Sequence, residues 1–233
     1  MRLTLLPCLV ACALVTLSLA AVAEDEEPLS SPAAKNSYAV GASLGGSVRQ
    51  LTIEMDHKIV LQGFEDALSG TKLLMSAEDV RATVLQLQRE AKEKKGLVTK
   101  ALSDKNLKDG EAFLAANKGT KGVVVLPSGL QYRILKAGKG NKPTLQDKVV
   151  CHYRGTLIDG TEFDSSYARQ QPTTFSVARV VKGWTEALQL MSVGSKWQLF
   201  IPANLAYGER GSSRIGPNAT LIFEVELIAI QGQ

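Results

Sequence analysis

The side chains able to carry chemistry are few and unevenly placed. Histidine occurs twice, as His57 and His152, and neither has a cysteine, histidine or carboxylate at ligand spacing, so no metal site is expected. There is no G-x-S-x-G elbow, P-loop or dinucleotide fingerprint, and the glycines of the KAGKGNK segment mark a turn. Covalent, metal and nucleotide chemistry therefore lack their parts, and no cofactor is expected. What remains lies in the second half of the chain. Tyr153, Phe163, Phe175, Val180, Val181, Trp184, Tyr207 and Phe223 form a scattered apolar set, with the carboxylate of Asp164 among them. Taken one at a time these residues have plainer readings. Aromatic residues on strands are usually core, and Asp164-Ser165-Ser166 also suits a turn whose carboxylate caps backbone amides.

The set falls in a region, beyond Gly122, of short alternating runs separated by turns. The runs VVVLPSGLQYRILKAG, DKVVCHYRGTLIDGTEFDSS, SKWQLFIP and ATLIFEVELIAI read as strands, and Asp159-Gly160 between two of them is a hairpin signal. In GWTEALQLMSVG, Trp184, Ala187, Leu188 and Met191 recur at helical spacing and Gly194 follows as a stop. The pattern predicts an α+β unit, a twisted antiparallel sheet with one short helix over a face. Val149, Cys151 and Tyr153 share one side of a strand, so Cys151 is expected to be a small buried hydrophobe.

Upstream the texture is helical. Residues 36–51 predict a first helix, with Gly41 and Gly45 four apart and able to admit another helix closely; residues 57–69 predict a second, stopped by Gly70. A third runs from the capping-box-like Ser76-x-x-Asp79 to Asn117, interrupted by little but Gly96 and Gly110. One unbroken helix of that length would span about 60 Å at 1.5 Å per residue; two shorter helices broken near Gly96 are the alternative. Its middle, around REAKEKK, is polar on all sides, as in helices that bridge domains through solvent.

The chain has 233 residues, 45% of them hydrophobic, and a formal charge of +4 from 27 basic and 23 acidic side chains. That is enough for one or two packed domains and too mild a charge to announce a nucleic-acid surface. Residues 1–23 read as a cleaved export signal ending Ala21-Val22-Ala23, with no stable membrane span retained. Leu9 to Cys12 also resembles a lipidation site. After cleavage Cys151 is the remaining cysteine and no internal disulfide can form. Residues 24–35, acidic and bearing Pro and Ser, read as a flexible leader. The expected organisation is signal 1–23, leader 24–35, helical domain 36–75, connecting helix 76–117 and sheet domain 118–233.

The segments CHYRG, DGTEFDSS, GWTEAL, AYG and TLIFEVEL follow one another in register over residues 123–233, and in this order they resemble the FKBP family of peptidyl-prolyl cis-trans isomerases. Farther upstream, SYAVGASLG, LQGFEDALSG and EAFLAANKGTKGVVVLPSGLQY resemble the macrophage infectivity potentiator (Mip) branch, in which a helical dimerisation domain and a long helix precede the isomerase. The resemblance implies a half-open antiparallel sheet wrapped around a short helix, with an apolar pocket between them. It implies Trp184 as pocket floor, Tyr153, Phe163, Phe175 and Phe223 as walls, and Val180, Val181 and Ile215 at the rim. Tyr207 and the Val181 amide would meet a ligand carbonyl, and Asp164, oriented by Arg169, would face the amide being twisted. All of these lie beyond Gly122, so the pocket is expected to be complete without the helices.

The same resemblance implies an exported homodimer, in the periplasm, at the outer membrane or secreted, acting on proline-containing peptides and unfolded proteins. Folding assistance, a role in infection and inhibition by macrolides of the FK506 and rapamycin type belong with it. Three departures bear on ligand preference: Thr173 replaces an aromatic, Arg179 replaces an acid, and the loop 208–215 has no histidine. A non-catalytic dimeric chaperone or surface adhesion module is the competing expectation.

Overall fold

The computed structural model of the chain describes residues 29–51 and 53–232. The expected signal, with Cys8 and Cys12, and the first residues of the leader lie outside the described residues. The chain divides into two compact units between Leu73 and Leu74.

The first unit holds α1 (Pro32–Gln50) and α2 (His57–Ser69). Helix α1 starts four residues earlier than the apolar pattern predicts. Ser31 accepts a hydrogen bond from the Ala34 amide and Pro32 occupies the first turn, so part of the expected flexible leader is a cap followed by helix. Helix α2 has the expected limits: Asp56 caps its start by accepting from the Lys58 amide, and Gly70 ends it at φ +70°, where a Cβ would be strained.

The second unit opens with α3 (Ala77–Asn117), one unbroken helix of 41 residues. Ser76 accepts from the Asp79 amide at 3.0 Å, while its hydroxyl donates to Oδ2 of Asp79. Pairs such as Lys100–Asp104 lie on the exposed surface of the helix and contribute a few tenths of a kcal/mol each. Beyond it come β1 (Val123–Val125), β2 (Gln131–Lys136), β3 (Lys148–Leu157), β4 (Glu162–Ser165) and β5 (Thr173–Ser176). Helix α4 (Lys182–Leu190), β6 (Lys196–Ile201) and β7 (Leu221–Ile230) follow. All strand pairs are antiparallel, in the order β1-β2-β6-β7-β3-β4, and β5 adds to the other end of β3. Strand β5 has no signal in the sequence because TTFS is short and offers one large apolar residue, Phe175.

Alternation along β3 and β7 sorts their side chains. Val149, Cys151 and Tyr153 point inward with Phe223, Val225 and Leu227, and all six are buried. Helix α4 closes this face with Trp184, Ala187 and Leu188. It approaches so closely that a Cβ on Gly183 would stand 2.5 Å from Cγ2 of Ile201. The lower end of α3 docks on the opposite side of the sheet core. Gln131, buried, donates to the Leu114 carbonyl at 2.9 Å and accepts from Asn117 at 2.8 Å, which satisfies its amide completely enough to tolerate burial. Gly110, a breaker by composition, is buried in this contact: a Cβ there would meet Oγ1 of Thr220 at 2.3 Å.

Candidate active site

A cavity of about 650 Å³ opens between the sheet and the start of α4. Trp184, 4% exposed, stands at its base because α4 begins immediately after Val181, whose carbonyl accepts from the Trp184 amide at 2.9 Å. Three rings meet the indole edge-on: Tyr153 at 5.5 Å, Phe175 at 5.3 Å and Phe223 at 5.3 Å between centroids. Phe163 meets Phe223 at 5.4 Å and 84°. Edge-to-face pairs of this kind each add about 1 kcal/mol beyond their buried area, so the walls are stiff. Gly155 makes room for two of them. A Cβ at that position would lie 2.6 Å from the Phe163 ring and 2.7 Å from Phe223.

The polar edge of the cavity is a closed ring of three groups. The Tyr153 hydroxyl donates to Oδ2 of Asp164 at 2.6 Å, Nη1 of Arg169 donates to Oδ1 at 2.6 Å, and Nη2 of Arg169 donates to the Tyr153 oxygen at 2.7 Å. Strand pairing sets this geometry, since Gly155 is opposite Asp164 on β3 and β4 and Tyr153 precedes it by one pleat. Burial pushes the Asp164 carboxyl upward, but the hydrogen bonds from Tyr153 and Arg169 outweigh it and hold the group below the ordinary carboxylate value. Burial first, and the bond to Asp164 second, push the Tyr153 phenol up. At neutral pH the site thus presents a fixed carboxylate beside a neutral phenol.

Ten of the eleven residues expected at the site line the cavity; Arg169 does not, and stands behind Asp164. Val180, Val181, Tyr207 and Ile215 form the rim, Ile215 nearly buried and Tyr207 42% exposed. Sequence reasoning missed Ser212, Ser213 and Arg214 as lining residues, and placed Arg179 only as a departure from a pattern. Arg214 donates to the Phe163 carbonyl at 3.2 Å. Nothing in the composition of the loop signals that contact. Among the described residues no group of three or more histidine, cysteine, aspartate or glutamate side chains is placed to hold a metal ion.

An antiparallel sheet closed by one short helix makes an aromatic pocket with one half-exposed carboxylate, Asp164, at its edge. Residues 139–228 match the FKBP-type peptidyl-prolyl cis-trans isomerase family, and residues 33–134 match the domain amino-terminal to that isomerase. Outer membrane protein MIP of Legionella longbeachae is 43% identical over 218 residues, covering 93% of this chain and 94% of the relative. Peptidyl-prolyl cis-trans isomerase Mip of Coxiella burnetii is 40% identical over 218 residues, covering 93% and 95%. The crystal structure of FkpA from Escherichia coli superposes with a TM-score of 0.67 at 36% identity, over 86% of this chain and 97% of that one. The chain belongs to the FKBP-type peptidyl-prolyl cis-trans isomerases, in the branch that carries an amino-terminal helical domain and includes the Mip proteins.

Proposed function

We propose that the pocket isomerises X-Pro bonds by holding the amide in its twisted state, with no covalent intermediate, and that its targets are proline-containing segments of exported, incompletely folded proteins. The observation that carries this reading is the juxtaposition of the edge-on aromatic box around Trp184 with the anionic Asp164. An X-Pro bond rotates over a barrier of about 18–20 kcal/mol because rotation breaks amide resonance. The planar amide is the more polarised form, so an apolar, water-poor pocket disfavours it relative to the twisted one. A carboxylate that can only accept hydrogen bonds opposes the negative charge that resonance places on the amide oxygen. The proline ring would lie on Trp184, with the Tyr207 hydroxyl and the Val181 N–H meeting flanking carbonyls. That N–H has no hydrogen-bond partner among the described residues. A preference of about 5 kcal/mol for the twisted state would accelerate the reaction by about 10³–10⁴, at one decade per 1.36 kcal/mol.

The same reading takes macrolides of the FK506 type as occupants of the pocket and a two-fold homodimer as the working form. Support for the dimer comes from Tyr38, Val40, Ile59, Leu61 and Phe64, all exposed on α1 and α2, neither of which has a buried residue. Two linked isomerase domains would raise the effective concentration of site around one client chain and so assist folding. No helix among the described residues is long and apolar enough to cross a membrane, and an exported destination fits the signal-like sequence of residues 1–23. The test is turnover of a Leu-Pro tetrapeptide by the purified chain, with competition by FK506. A folded protein that neither turns over the peptide nor binds the macrolide would overturn the reading.

A further inference from the structure

We infer that Asn106 and Ser103 of the connecting helix are positioning residues for the pocket, and that they act through the loop that carries Tyr207 and Ile215. The inference rests on the isomerase reading of that pocket and assigns part of its geometry to a helix outside its lining.

The loop between Gly208 and β7 is held from within by short-range bonds and has no regular element of its own beyond a single turn. Two glycines, Gly208 and Gly211, have φ of +60° and +63°, and Ser212, Ser213 and Arg214 are exposed. Its internal backbone bonds are short-range: Ser212 and Ile215 bond each other, and the Gly211 and Asn218 amides donate to the Gly208 carbonyl at 3.3 and 2.9 Å, while Arg214 ties the middle of the loop to the Phe163 carbonyl. Pro217 has no N–H with which to anchor the segment. The carbonyl of Pro217 instead accepts from Nδ2 of Asn106 at 2.8 Å. One residue on, Nδ2 of Asn218 donates to the hydroxyl of Ser103, also at 2.8 Å. Just before these bonds the backbone of Gly216 lies against the helix, where a Cβ would come within 3.0 Å of the Asn106 amide nitrogen and 3.4 Å of Leu102. Ser103, Asn106 and Gly110 recur at i, i+3 and i+7, so one stripe of α3 receives Asn218, Pro217 and Thr220 in turn.

The loop is therefore strapped to α3 at its far end while its near end lines the cavity. Ile215 is 4% exposed and stands two residues before Pro217; Tyr207 immediately precedes Gly208, to whose carbonyl Asn218 returns. Releasing the strap loosens the rim, which keeps the Arg214 bond to the Phe163 carbonyl, and leaves Trp184 and the Tyr153–Asp164–Arg169 ring where they are, because those rest on β3, β4 and α4. The cavity lining lies wholly beyond Gly122, and the strap would add support to its rim from α3.

The experiment compares the full chain with Asn106→Ala, Ser103→Ala and the double variant on a Leu-Pro tetrapeptide. Asn106→Asp serves as the isosteric change that removes the donor. Expected is a KM raised about three- to tenfold in the double variant at nearly unchanged kcat, with faster amide exchange at residues 208–218 and unchanged exchange in β3 and β7. A role confined to docking the helix would speed exchange in α3 and leave KM alone, and that result would overturn the inference. Ser103→Ala, a small change at a half-exposed position, keeps the test available if the double variant does not fold. A parent chain without turnover would defeat the isomerase reading itself; a turning-over parent with indifferent variants would defeat this inference alone.

Discussion

The Tyr153 hydroxyl donates to Oδ2 of Asp164 at 2.6 Å across the β3–β4 pair, and Arg169 bonds both members of the pair. The three groups orient one another, so disturbing one should alter the carboxylate that faces the cavity. Asp164→Leu is expected to lower kcat/KM about tenfold or more and Tyr153→Phe by a few fold, on the scale of one decade per 1.36 kcal/mol. Circular dichroism and kcat/KM measured together check this; folded variants with the parent rate would remove these residues from the site.

The titration of the ring sets a pH window. The folded pKa of Asp164 lies below its ordinary value of 3.8, so its contribution to stability is fully present above that value and is lost as pH falls through the lowered pKa. Tyr153 is shifted the other way, above 10.0, so its contribution is present below that value and is lost as pH rises through the raised one. Turnover and melting temperature should therefore show no transition from this ring between about pH 5 and 9. A bell-shaped kcat/KM centred near neutrality would mean that another group takes part.

Cys151 is 0% exposed, and burial pushes its thiol up to about 12. Maleimide should label it slowly in the native chain and rapidly after denaturation. Cys151→Val, close in volume, should cost less than about 1.5 kcal/mol and keep activity within a few fold. Fast native labelling with loss of turnover would show the β3 side-chain alternation to be inverted.

Gly155→Ala places a methyl where the rings of Phe163 and Phe223 already stand. The rings must separate or the strand must shift, at a cost of about 1–3 kcal/mol. The expected result is a lower melting temperature together with a loss of macrolide affinity greater than that of a surface control away from the cavity such as Lys121→Ala. Unchanged affinity would show that the walls move freely.

Self-association is expected from the exposed apolar side chains of α1 and α2. Sedimentation should give a dimer at micromolar concentration, and replacing Ile59 and Phe64 by Ser should shift it to monomer without slowing a tetrapeptide. A parent chain that sediments as a monomer would remove the reason for the client-binding proposal.

Where a local signal carries the structure, the chain is readable. Asp56 and Gly70 bracket α2, the Ser76 cap and the lack of breakers give α3, and alternation around Cys151 gives the buried face of β3. Ser31-Pro32 was equally local, yet an acidic neighbourhood disguised it as a leader. The pocket's aromatic set is legible through ordered motifs, because each motif keeps a strand or helix end in register. The strap is not: Asn106 meets Pro217 across 111 positions and Ser103 meets Asn218 across 115, and neither asparagine nor serine carries a pattern that points to a partner. The role of Gly110 is opaque for the same reason, since a glycine that weakens a helix and a glycine that admits a threonine look alike in one dimension.

The contact of Gly110 with Thr220 also acts as a phase mark on α3. An α-helix turns about 100° per residue, so one residue inserted upstream, for example beside Gly96, would swing every preceding side chain about 100° around the axis relative to the sheet. Seven inserted residues add nearly two whole turns and restore the azimuth to within about 20° while lengthening the rod by about 10 Å. Comparing the two insertions separates the direction in which the first turns of α3 face from their distance to the sheet, two properties that a truncation would change together.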